Sequence, residues 1–168
     1  MRLQEYEVIS TVLQVKHEQQ YARPVSGILI VESTMGTSLA ACVAAPNGET
    51  NPSFQGIEQE AIDDFVAVGW DKKMLEKNFV LPFPYSLVSE KTLREVIRNC
   101  NWSKFHESFP DNNGYFQFSR VGLNRNQTQA LVSSYWGGGP LAARSELHYL
   151  IKRQEKWVIE VSKTMFMS

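Results

Sequence analysis

The last third of the sequence carries four strand patterns joined by connections that are too short for anything but hairpins. The patterns occupy Tyr115–Leu123, Thr128–Trp136, Glu146–Arg153 and Lys156–Ser162. A turn at 124–127, a glycine-rich loop at 137–142 and a two-residue turn at 154–155 separate them. Successive strands joined this closely pair antiparallel. The sequence therefore predicts a four-stranded antiparallel meander, with Trp157, Ile159 and Val161 facing inward on the last strand.

The rest of the chain is predicted to be mainly helical. Residues 2–20 have helical spacing of Leu3, Tyr6, Ile9, Leu13 and then Lys16. Further helices are expected at 57–77, where Gly69 kinks or divides the helix, at 90–99 behind a Ser89 cap, and over one or two turns from Trp102 to Phe109.

One apolar run, 26–34, predicts a buried and central strand between turn residues. Residues 36–52 fit either a second strand or a loop. Together these elements predict a single α+β domain over 1–168, in which the N-terminal and central helices pack on one face of a curved antiparallel sheet.

Composition argues for a globular protein with no strong attraction to polyanions. Hydrophobic residues make up 43% and charged residues 21%, and the formal net charge is −1. The charge is uneven, because residues 115–168 hold seven Lys/Arg and three Asp/Glu, a balance of +4. Either the two halves attract each other weakly, or a basic sheet face meets an anionic partner.

Motifs for catalysis, metals and cofactors are missing from the sequence. His17, His106 and His148 belong to no cluster with ligand spacing, although Glu146 lies two positions from His148 on the same strand face. Cys42 and Cys100 form neither a Cys-x-x-Cys pair nor a disulfide framework. We therefore predict no catalytic residue, no metal ligand and no cofactor.

Arg120 is the most unusual residue, because strand alternation places it with Phe116 and Phe118 on the face expected to be buried. A buried guanidinium must be paired. Its partner is expected to be Glu32, Glu146 or a backbone carbonyl. The alternative is an anion-binding arginine in a cleft between sheet and helices.

A ligand site built on that alternative has four candidate residues. Arg120, Tyr135 and His148 would form its centre. Gly138, in the glycine-rich loop, would let a ligand approach the backbone closely.

Four segments of the meander carry a resemblance: Phe118–Asn124 (Phe-Ser-Arg-Val-Gly-Leu-Asn), Thr128–Val132, Gly138–Ala142 and Lys156-Trp157. They resemble the C-terminal signature of a family of uncharacterised bacterial proteins, which implies no activity. The chain departs from that signature at Leu123 and at Ala143-Arg144. Helices followed by a meander are also broadly similar to the cone-like folds of nuclear-transport-factor-like proteins.

These observations favour a non-catalytic binding or interaction domain, whose partner is a protein or a small anionic ligand. The alternatives are a small-molecule pocket or enzyme centred on Arg120, and a nucleic-acid binder that uses a basic C-terminal sheet. No apolar stretch reaches the ~18 residues of a membrane helix, and the N-terminal residues lack the apolar region of a signal peptide. A soluble protein of the bacterial cytoplasm, without a membrane partner, is expected.

Overall fold

The computed structural model describes residues 1–20, 27–36 and 54–167. The helices in these ranges are α1 (Leu3–Gln20), α2 (Gln59–Val68), α3 (Glu90–Val96) and α4 (Trp102–Ser108). The strands are β1 (Ile28–Val31), β2 (Tyr85–Val88), β3 (Tyr115–Phe118), β4 (Gly122–Leu123), β5 (Gln129–Gly139), β6 (Ala142–Arg153) and β7 (Lys156–Met167). The sequence left open whether 36–52 is a strand or a loop, and all of this segment beyond Gly36 lies outside the described residues.

All seven strands form one mixed sheet, in the order β2-β1-β3-β5-β6-β7, with β4 paired to β5. The meander is confirmed, because β3, β5, β6 and β7 are neighbours in antiparallel register. The prediction of an antiparallel sheet was wrong for β1, which is central as expected but runs parallel to both β2 and β3. The connection that contains α2 joins β1 to β2, and the connection that contains α3 and α4 joins β2 to β3. Each returns the chain to the end of the sheet at which the previous strand began, and long connections of this kind permit parallel pairing.

The sheet has helices on both faces, whereas the sequence predicted them on one. We call the face that packs on α1 the α1 face; its core includes Ile28, Ile30, Phe116, Phe118, Val132, Leu150 and Trp157. On the opposite face, α3 and α4 cover β1 and β3, and α2 covers β5 and β6. All four residues of β1 are buried, so both of its sides need cover. The sheet is open rather than curled, and the expected curvature and cone-like shape are absent.

The last hairpin contains a β-bulge that changes which residues face α1. Leu150 pairs with Ile159, but the preceding Tyr149 pairs with Val161, so Glu160 is an extra residue in β7. Trp157 and Ile159 lie on the α1 face as predicted. Val161 was wrongly placed with them, because after the bulge it packs on the opposite face with the α2 core.

Two other elements are shorter or longer than predicted. The helix expected at 57–77 ends at Gly69, and the chain beyond it runs beside the end of β1, where Leu75 N–H donates to the Glu32 carbonyl at 2.6 Å. The loop expected at 137–142 is a tight turn, because β5 continues to Gly139 and β6 begins at Ala142. Ser89 caps α3 as predicted, accepting from the Thr92 N–H at 3.0 Å.

Among the described residues, no helix has both the length and the hydropathy needed to span a membrane. Cys100 is exposed, and Cys42 lies in a part of the chain that the structure does not describe.

Candidate functional site

Two clusters of charged side chains lie beneath α1. The first, the Arg120 cluster, is near the start of the helix and joins Arg120 to Glu5 and Asp71. Arg120 donates from Nε to Glu5 Oε2 at 2.8 Å and from Nη2 to Glu5 Oε1 at 2.9 Å, and its Nη1 donates to Asp71 Oδ2 at 2.8 Å. Arg2 and the Val121 N–H also donate to the Glu5 carboxylate. Arg120 is therefore paired, as expected of a buried arginine, but its partners are not Glu32 or Glu146.

The electrostatics of the Arg120 cluster are those of a closed structural pair. Burial raises the pKa of Glu5, but the hydrogen bonds from Arg120 and Arg2 outweigh it, so the net pKa of this carboxyl is lowered. The hydrogen bond to Glu5 is also the main reason that the pKa of Arg120 is raised. Both partners are held in their charged forms, and the bidentate geometry uses both oxygens of Glu5.

The second cluster, the Lys16 cluster, lies under the other half of α1. Lys16 Nζ is 2.7 Å from Glu146 Oε2 on β6, and both side chains are only 5% exposed. Arg144, two residues earlier on the same strand, places Nη2 at 3.1 Å from Glu146 Oε1 and at 3.0 Å from the Thr164 hydroxyl. One buried carboxylate is thus shared by two cations.

His148 lies next to the Lys16 cluster and is completely buried. Its Nε2 is 2.8 Å from the Ser134 hydroxyl on β5, and its Nδ1 is 2.8 Å from the Ser162 hydroxyl on β7. Burial, together with the positive charges of Lys16 and Arg144, lowers the pKa of His148 to about 3. The ring is therefore neutral at physiological pH.

An open cavity of about 530 Å³ adjoins the Lys16 cluster, between α1 and strands β6 and β7. Its polar lining includes Lys16, Arg144, Glu146 and Ser162, and its apolar lining is Val15, Trp157, Val158 and Ile159. Its volume lies in the range of small-molecule pockets, which also combine apolar walls with a few polar groups.

Two residues of the cavity lining carry a buried donor that has no acceptor among the residues that the structure describes. These donors are the indole Nε1 of Trp157 and the guanidinium Nε of Arg144. Buried polar atoms without partners are uncommon. With Lys16 and Arg144 positive, Glu146 negative and His148 neutral, the inner wall carries one excess positive charge. Glu18 also lines the cavity, but its side chain is exposed to water.

The four predicted ligand residues do not form one site. Arg120 is held in its own cluster, and Tyr135 lies on the opposite face, where its ring is 5.9 Å from that of Tyr115. Gly138 packs so tightly on Trp136 that a Cβ there would overlap the indole ring. His148 alone adjoins the cavity, through Ser162. The glycine at 138 therefore serves packing of the β5–β6 turn.

Sequence reasoning missed the central residues of the cavity, although two signals for them were present. Lys16 continues the apolar stripe of α1, and a lysine at such a position is buried unless it reaches the surface. Glu146 shares a strand face with His148. Ser162 had no signal, because simple alternation with Trp157 places it on the other face and the bulge reverses that assignment.

Within the described ranges, no three His, Cys, Asp or Glu side chains are grouped closely enough to hold a metal ion. No family model, no curated protein and no solved structure matches this chain, so its function has to be argued from the two clusters and the cavity.

Proposed function

We propose that the protein is a non-catalytic binding domain that holds a small anionic molecule in the cavity between α1 and strands β6 and β7. One observation carries this proposal: a buried lysine and a partly buried arginine share a single carboxylate at the wall of an open cavity. Two cations held by one anion leave one positive charge at the wall of the cavity, where Lys16 is 5% exposed and Arg144 is 41% exposed. An anion that enters the cavity balances it through charge-assisted hydrogen bonds, which are stronger near the buried lysine than in open water.

The unpartnered donors support an acceptor-rich ligand. Arg144 and Trp157 both line the cavity, and each carries a buried donor, Nε and Nε1 respectively, that lacks an acceptor among the described residues. A buried donor without a partner costs free energy, and a ligand that supplies an acceptor recovers it. A cation would add to the excess positive charge and offer these donors nothing.

Binding is favoured over acid–base catalysis because of the state of His148. A general base works best when its pKa lies near the working pH, whereas the pKa of His148 is lowered to about 3. Its two ring nitrogens are both engaged by serine hydroxyls. Its role is to position Ser162 at the cavity wall and to keep a neutral polar group beside Lys16.

The other candidate sites have weaker support. An anion site at Arg120 would have to displace Glu5, which binds the guanidinium through two oxygens. A nucleic-acid surface on the C-terminal strands would need free cations. Ion pairs engage several cations of residues 115–168, namely Arg120, Arg125, Arg144, Lys152 and Arg153.

The test is a thermal-shift screen of the purified protein against simple anions, including acetate, benzoate, phosphate and citrate. At least one is expected to raise the Tm in a saturable manner. Arg144→Gln should abolish the shift, because it removes the cavity cation that still has an unpartnered donor. Arg125→Gln is the matched control, since this arginine is 85% exposed on a distant turn and should leave the shift unchanged.

The proposal is wrong if no anion raises the Tm of the parent protein. It is also wrong if the shift survives in Arg144→Gln, since the anion would then bind elsewhere.

A further inference from the structure

We infer that the molecule held in this cavity is a monocarboxylate with an apolar body, aromatic in the simplest case. This inference rests on the proposed function and specifies its ligand class. It is drawn from the charge of the wall, the free donor atoms, and the division of the cavity lining into a polar and an apolar part.

The charge of the wall favours a single negative charge. Lys16 and Arg144 contribute two positive charges and Glu146 one negative charge, while His148 is neutral. A monoanion makes this set neutral. A phosphate dianion would leave an excess negative charge beside Glu146, whose side chain is 5% exposed, and uncompensated charge next to a buried group is costly.

The donor geometry favours a carboxylate over a larger oxyanion. Nη2 of Arg144 is already engaged by Glu146 and Thr164, so the buried donor that remains on that edge of the guanidinium is Nε. A carboxylate oxygen satisfies one such donor with a charge-assisted hydrogen bond. A phosphate would draw further donors from Lys16 and Ser162, but its additional oxygens and charge would then lie next to the Glu146 carboxylate.

The rest of the cavity calls for an apolar body. A carboxylate group alone fills a small part of about 530 Å³, and well-bound ligands bury most of their surface. Val15 on α1 and Trp157, Val158 and Ile159 on β7 supply an apolar wall beside the charged end. Trp157 is 7% exposed, and an aromatic body would meet only the part of its ring that borders the cavity.

The experiment compares five compounds that separate the contribution of the charged group from that of the apolar body. They are phenylacetate, acetate, 2-phenylethanol, phosphate and phenyl phosphate. Affinity is measured at pH 7.5 by calorimetry and by the quenching of tryptophan fluorescence, with Trp157→Phe used to assign the signal. Phenylacetate is expected to bind at least tenfold more tightly than acetate, 2-phenylethanol or either phosphate. Arg144→Gln should remove its binding, and Arg125→Gln should not.

A second variant tests the body separately from the head. Val15→Thr keeps the shape of the side chain and adds a hydroxyl to the apolar wall. It should weaken phenylacetate several-fold and leave the weak binding of acetate unchanged. If Val15→Thr weakens neither, the apolar part of the assignment is wrong.

The outcomes separate this inference from the proposed function. If acetate or either phosphate binds as tightly as phenylacetate, and Arg144→Gln abolishes that binding, the cavity is an anion site but the monocarboxylate class is wrong. If 2-phenylethanol binds as tightly as phenylacetate, the charge is irrelevant, and both the class and the anion site are wrong. If none of the five binds, both proposals fail.

Discussion

The two ends of α1 solve the same problem, a charged side chain beneath a helix, in different ways. Near the N-terminal end, Glu5 is negative, which suits the positive end of the helix dipole, and Arg120 grips both of its oxygens. Near the C-terminal end, Lys16 is positive, which suits the negative end, but its partner Glu146 is shared with Arg144. The first cluster is closed by protein groups and the second borders a cavity.

The comparison shows that burial of a charge does not by itself identify a binding site. Arg120 is as unusual in the sequence as Lys16, and both are buried. What distinguishes the Lys16 cluster is incomplete pairing next to open volume, namely a buried donor on Arg144 and another on Trp157 without acceptors among the described residues. A closed cluster stabilises the fold, whereas an incomplete one retains capacity to bind.

The largest effect is expected from Arg120→Ala, which tests whether the Arg120 cluster is structural. The change leaves Glu5, fully buried, without its bidentate partner; what remains is the Val121 N–H and Arg2, whose side chain is 38% exposed. The free energy of unfolding in urea should fall by about 3–5 kcal/mol, as for other broken buried pairs. Arg125→Ala, on an exposed turn, should change it by less than about 0.5 kcal/mol. A loss under about 1 kcal/mol for Arg120→Ala would mean that the pair is not structural.

The next effect concerns pH and His148. The pKa of His148 is about 3 in the folded protein, whereas that of a histidine in an unfolded chain is 6.5. Between these two pH values the unfolded chain binds a proton on this ring that the folded protein excludes. Stability from this group is complete above pH 6.5 and is lost as the pH falls toward 3. Between pH 7.5 and pH 5 the free energy of unfolding should fall by about 2 kcal/mol.

The matched variant for this prediction is His148→Gln, which keeps a neutral polar side chain of similar size but cannot take up a proton. Urea unfolding of both proteins at several pH values isolates the contribution of His148. Equal losses in the parent and the variant would show that the ring is not held neutral, and the description of the Lys16 cluster would need revision.

A smaller loss is expected from Lys16→Met. Glu146 keeps its ion pair with Arg144, and Arg144 keeps its hydrogen bond to the Thr164 hydroxyl. No buried charge is therefore left without a partner. The methionine also replaces the apolar stem of the lysine. The expected loss in urea unfolding is about 1–2 kcal/mol. A loss as large as that of Arg120→Ala would mean that both clusters are equally closed, which would remove the distinction between them.

The smallest effect is expected from Asp71→Asn, within the Arg120 cluster itself. Asp71 is 50% exposed, so its bond to Arg120 Nη1 competes with water. The change should cost less than about 1 kcal/mol, and added salt should reduce the difference further. A loss of several kcal/mol, independent of salt, would show that the closed pair extends to the surface.

The meander was predictable because the information for it is local. Short connections and alternating residues define β5, β6 and β7 without reference to the rest of the chain. The parallel pairing of β1 with β2 and β3 depends on where long connections return, and no strand was predicted at the position of β2. Gly69 was expected to kink or divide a helix that runs to residue 77, whereas in the structure the helix ends there.

The sites were predictable only as far as single residues stand out from their surroundings. Alternation correctly made Arg120 a buried residue, but its partner Glu5 is 115 positions away in the sequence and carries no mark of that role. Lys16 was visible as a charge within an apolar stripe. The cavity was not predictable, because it depends on how far α1 lies from β7.

The extra residue Glu160 decides which side chains of β7 face the cavity. Before Glu160, the odd-numbered residues Trp157 and Ile159 face α1. After it, the even-numbered residues Ser162 and Thr164 face α1. If Glu160 instead took a place in the ladder opposite Tyr149, the slip would act on the side chains as a frameshift acts on codons: every residue that follows would exchange faces. Val161 and Lys163 would then take the places of the hydroxyls beside His148 and Arg144, so the wall of the cavity depends on Glu160 staying outside the ladder.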